Sequence, residues 1–166
     1  MRARYARAEA YARAEHPVAA IEEAETLLTL DREDHLGIRY RLLGLYLERG
    51  LVRKVRGVFK RYSHEHTATF AWALVLERWL SDAVTDAEVA LRRARRINPY
   101  AEPYLADRRR TPRACPDTVE FGGEDEAVSC AQDLGAAWAR QGQARAWLRA
   151  ARAAASPGSR PRRTVH

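Results

Sequence analysis

Lysine is almost missing from this 166-residue chain: Lys54 and Lys60 are the only two among 29 basic residues, so nearly all the positive charge is arginine. Glycine (9) and proline (7) are sparse, and alternating runs of β-branched residues do not occur, so strands are not expected. Two cysteines, Cys115 and Cys130, are too few for a disulfide framework. They read as free thiols in a reducing compartment, with one Cys115–Cys130 bridge as the other reading. The longest apolar run, Phe70 to Leu76, falls far short of the roughly 20 residues that cross a bilayer, so no membrane helix is expected. The Met1-Arg-Ala-Arg-Tyr5 start has neither the apolar core nor the cleavage site of a secretory signal, and cytoplasm is the expected compartment.

What is present is alanine at helical spacing. Ala87-x3-Leu91-x2-Ala94-x4-Pro99 has the spacing of the second helix of a tetratricopeptide repeat. It is echoed by Ala20-x3-Ala24-x2-Leu27 and, in part, by Val55-x3-Phe59-x2-Tyr62. The anchors at 20, 55 and 87 are 35 and 32 residues apart, close to the roughly 34-residue period of helix pairs that bury their apolar faces by stacking. With 46% hydrophobic residues the chain can supply a core of its own.

The pattern predicts an all-α, tetratricopeptide-like stack of antiparallel helix pairs with about seven to eight helices. Residues 1–99 would hold three pairs, 100–154 a connector and a C-terminal helix pair packed on the stack, and 155–166 a disordered basic tail. His16-Pro17 breaks the first helix from the second, because proline suits a first helical turn. Asp31-Arg-Glu-Asp34 is placed to cap a third helix over 35–49, whose stripe is Leu36, Tyr40, Leu43, Gly44 and Leu47. Gly44 reads as the small residue for close helix approach, and Gly50 as a left-handed cap. Further helices are expected over 51–62, 67–80 and 85–97, with a short turn at Pro103-Tyr-Leu-Ala106. Others are expected over 124–140 and 143–154. Glu124-Asp-Glu126 would complement the dipole of the helix they open.

A closer resemblance rests on the order Met1-Arg-Ala-Arg, Glu23-Ala24, Asp34-x2-Gly37-Ile-Arg39-Tyr40, Asn98-Pro99-x4-Tyr104-Leu105 and Glu124-Asp-Glu-Ala127. Over residues 1 to about 152 the chain resembles a group of tetratricopeptide-like proteins of bacteria and fungi. Its Asn-Pro-to-Tyr-Leu segment is also similar to suppressor of tumorigenicity seven. The resemblance implies a helical-repeat fold with a non-catalytic interaction role. Asp34-His-Leu-Gly37 departs from the group's Asp-Asn-Gln-Gly. The Gly-x-x-Glu-Glu-Ala turn is replaced by His16-Pro17 and by Gly50-Leu-Val-Arg-Lys-Val55. Relatives usually carry sequence before the Met-Arg-Ala-Arg segment, which implies an N-terminally shortened or diverged member.

Aligned to the repeat, the concave surface would draw on Arg2, Tyr5 and Glu9, then Arg41, Leu45 and Glu48, then Phe70, Leu74 and Glu77. Arg2 and Arg41 would pair with ligand carboxylates. The alternative is that these residues solvate a short self-packed stack. Tyr5, Glu9, Arg41 and Leu45 do not form the Lys/Asn clamp that holds chaperone tails.

The net charge of +7 admits a polyanion partner, for which Arg108, Arg109, Arg110 and Arg113 and the tail Arg160-x-Arg162-Arg163 are the candidates. The alternative is solvated helix faces and a solvated connector. His64-x-His66 with His35, Cys115 or Cys130 lacks paired ligand spacing, so no metal is expected. Neither cysteine has a nearby histidine, and no serine elbow or phosphate loop occurs. The expectation is a non-enzymatic interaction module for an unidentified protein or peptide, needing no cofactor. Its alternative is a basic helical nucleic-acid-binding or regulatory protein. Neither reading specifies an oligomeric state.

Overall fold

Each amphipathic segment forms a helix, and no strand occurs among the described residues. The computed structural model describes residues 2–14, 16–114 and 119–155. Cys115 and the Arg160-x-Arg162-Arg163 tail lie outside them. In chain order the helices are α1 (Arg2–Arg13), α2 (Pro17–Leu30), α3 (Ile38–Glu48), α4 (Val52–Arg61), α5 (Ala68–Leu80) and α6 (Val84–Ile97). The one-turn α7 (Ala101–Leu105), α8 (Glu124–Arg140) and α9 (Gly142–Ala155) follow.

Helices α1–α2, α3–α4 and α5–α6 form three antiparallel pairs, and α2 on α3 and α4 on α5 join one pair to the next. Their seams are the small and branched residues that the periodicity marks. Ala20, Ala24 and Leu27 of α2, Val55 of α4 and Ala87, Leu91 and Ala94 of α6 are all buried. Small residues there let helix axes approach closely, and large ones such as Leu43, Leu47, Trp72 and Leu76 fill the space between pairs.

The start of α3 differs from the sequence expectation. Asp34 and Gly37 both adopt positive φ, 53° and 66°, so residues 34–37 form a turn and the helix begins at Ile38. Leu36 therefore sits in that turn, 37% exposed, instead of on the buried stripe. Asp34 is the cap: its carboxylate accepts the amides of Ile38 at 2.6 Å and Arg39 at 3.0 Å. Gly50, at φ 66°, ends the turn after α3 as a left-handed residue.

The C-terminal part does not extend the row of pairs. Helix α8 packs across α3 and α5, and α9 packs on α8 and α5. Gly44 makes that possible, because a methyl group there would collide with the Asp133 carbonyl oxygen of α8. Its small size serves the α3–α8 crossing, not the approach of repeat helices expected from sequence.

Candidate functional site

The chain's own α8 lies against α3 and α5, two of the three helices expected to offer a groove, and buries Ala127, Cys130, Ala131, Leu134, Ala137 and Trp138. Glu126 fastens it. Its carboxylate accepts the Ala68 amide at the start of α5 (2.8 Å), the Asn98 side-chain amide (3.0 Å) and the Gly122 amide (2.8 Å). Glu126 thus serves the N-terminus of α5 as well as standing with Glu124 and Asp125 in the acidic first turn expected for its own helix. Asn98 also donates to the Gly123 carbonyl at 2.9 Å, and its own carbonyl accepts Trp72 Nε1 at 3.3 Å.

The nine residues expected to line one groove fall into separate places. Tyr5, Arg41 and Asp133 border a hollow of about 430 Å³ beside α8. Glu9 makes an ion pair with Arg41 Nε at 2.8 Å. The Asp133 carboxyl, beside Arg41, accepts Thr69 Oγ1 at 3.4 Å. Burial pushes that carboxyl up to about 7, against the lowering effect of Arg41 and Thr69 and with a further upward push from Glu9. The charged groups of this face are thus directed at α8. The Arg2 side chain lies outside the described part of the structure.

Leu45 and Glu48 border a smaller hollow with Arg49 and Arg140. There Gln141 Nε2 donates to the Leu47 carbonyl at 3.3 Å, closing the end of α8 onto α3. Phe70 and Leu74 face the opposite way, into a cleft between α4 and α6. Glu77 is fully buried and pairs with Arg56 Nε at 2.7 Å, tying α4 to α5. These three α5 residues therefore do not join the α1–α3 surface. The residues of α5 that hydrogen-bond to α8 are Ala68 and Thr69.

The α4–α6 cleft holds about 220 Å³. Phe59 and Tyr62 form its α4 wall, Phe70 and Leu74 its floor, and Ala90, Arg93 and Ile97 its α6 wall. Phe70 packs tilted on Phe59 and edge-on to Tyr40, each at 5.8 Å between ring centroids. Two hydroxyls of the lining, Tyr62 and Thr67, are buried without a hydrogen-bond partner among the described residues. Glu65, the cleft's acid, pairs with Arg39 at 2.8 Å, and the same guanidinium also pairs with Asp34 at 2.8 Å.

Compared with protein-family models, curated proteins and solved structures, the chain matches none.

Arg108, Arg109, Arg110 and Arg113 are all exposed. The first three border a hollow of about 330 Å³ with Tyr104 and Arg145; Arg113 lies outside it. Arg109 is engaged, pairing with Glu124 and lying 5.1 Å from the Tyr104 ring. Arg145 and Arg149 donate to the Leu105 and Ala106 carbonyls at 3.1 and 2.7 Å, so they hold the end of α7. His64 and His66 are exposed, His35 hydrogen-bonds Asp31 at 2.9 Å, and Cys130 is buried. Among the described residues no cluster of these types is placed to hold a metal ion, and no helix is long and apolar enough to cross a membrane.

Sequence reasoning missed the cleft because its walls come from three helices. The signals were present: Phe59, Tyr62 and Phe70 are aromatic residues close together in sequence, and Arg93 and Arg96 share one flank of α6.

Proposed function

We propose that the chain is a non-enzymatic protein-interaction module of the tetratricopeptide-like kind, which holds its partner in the α4–α5–α6 cleft. The observation that carries this is an open, largely apolar cleft lined by α4, α5 and α6, while α8 covers α3 and α5. A hollow of 220 Å³ is smaller than the about 300–1,000 Å³ of small-molecule sites and suits anchor side chains of a polypeptide. The test is recovery of partners from native extract at moderate salt after nuclease treatment. Proteins retained by the wild-type chain and lost with Leu74→Arg support the reading. Loss of every partner on nuclease treatment sinks it.

A second reading has its own observation. Arg53 and Lys60 on α4 and Arg92, Arg93 and Arg96 on α6 are exposed and have no ion-pair partner among the described residues. Such an outer face suits a polyanion. That mode predicts affinity for single-stranded RNA falling steeply as salt rises and indifferent to base sequence.

A further inference from the structure

Building on the interaction-module reading, we propose that the α4–α5–α6 cleft receives an acidic amphipathic helix from a partner protein. The floor runs along α5 from Phe70 to Arg78, which at 1.5 Å per residue is about 12 Å, a little over two helical turns. A helix laid there presents two or three apolar anchors at i, i+3 or i+4, and i+7.

The rim sets the charge of that helix. Arg93 lines the α6 wall, Arg96 follows it on the same flank, and Lys60 adjoins Phe59 on α4. None of the three has an acidic partner among the described residues. Arg78, at the far end, pairs with its neighbour Glu77 at 3.2 Å. Of the nearby acids, Glu65 shares Arg39 with Asp34, and Asp86 and Glu88 lie in the N-terminal half of α6, away from Arg93 and Arg96 at its other end. The buried Tyr62 and Thr67 hydroxyls add two unused donors, which match carboxylate or carbonyl acceptors.

Other occupants fit worse. Residues 156–166 of this chain carry Arg160, Arg162 and Arg163 and no acid, so they repel the rim. Nucleic acid needs an open ring face for stacking, but Phe70 is only 6% exposed and its neighbours cover it.

The experiment selects a random-peptide display library on the immobilised full-length chain in nuclease-treated buffer. Enriched peptides are expected to be helical on binding, with apolar anchors at that spacing and an excess of Asp and Glu. Leu74→Arg and the double variant Arg93→Glu/Arg96→Glu should each weaken them by roughly tenfold or more. The double variant changes exposed side chains, so it keeps the fold, checked by circular dichroism. Its binding should return when Lys replaces Glu in the peptide.

Peptides that depend on Leu74 but are neutral or basic overturn the acidic partner and leave the interaction module standing. Peptides indifferent to Leu74→Arg overturn the cleft. Enrichment of no peptide overturns both. Concentration-dependent self-association abolished by Leu74→Arg replaces the partner with a second copy of the chain, and RNA competing through Leu74 replaces it with nucleic acid.

Discussion

A methyl group at Gly44 would lie inside the van der Waals shell of the Asp133 carbonyl oxygen, which is backbone of α8 and cannot rotate away. Gly44→Ala should therefore destabilise the fold by about 1–3 kcal/mol, lowering the urea midpoint. Gly57 is also helical, but it is exposed and open space surrounds its missing Cβ. Gly57→Ala should raise stability by about 0.5–1 kcal/mol in the same measurement, because alanine loses less backbone freedom on folding. Asp133 gives a pH signature. Its folded-state pKa, about 7, lies above its ordinary 3.8, so the fold binds the extra proton. The contribution of this group is full below 3.8 and is lost as pH rises to about 7. Asp133→Asn should flatten that part of the stability profile, read from denaturation midpoints between about pH 4 and pH 8.

Helices in this molecule are finished by residues distant in sequence. The α5 start draws on Glu126, 58 positions away. The α6 end is anchored through Asn98 to the same carboxylate. Glu126→Ala strands three donors at once and should cost about 3 kcal/mol, with faster hydrogen exchange at the Ala68 amide. The α3 start, by contrast, relies on Asp34, four residues before Ile38. That local cap was readable from sequence because its partners are neighbours. The role of Glu126 was not, since an acid near a helix start looks the same whether it serves its own helix or another's.

On the scale of the whole molecule, α8 covers α3 and α5, two of the three helices expected to leave a groove open. Leu134 and Trp138 of α8 are fully buried, and each such side chain contributes about 1.5–3 kcal/mol. A chain ending at Gly123 should lose its cooperative unfolding transition instead of gaining a vacant groove, which thermal circular dichroism will show. The spacing that picked the expected groove residues did not separate surface from core, since Leu45, Phe70 and Glu77 are buried. Their division came from assembly: Glu9 and Arg41 face α8, while Phe70 and Leu74 open toward α6.

Sequence by itself determined the all-α class, the helix order and the Asp34 and Gly50 punctuation. Each of these follows from interactions among residues a few positions apart. Only the tertiary structure decided which helix packs on α3 and α5, why Gly44 is glycine, what Glu126 caps and where an apolar cleft remains. Those outcomes depend on the rotation and crossing of packed helices, set by groups far apart in sequence, such as Ala68 with Glu126 and Thr69 with Asp133.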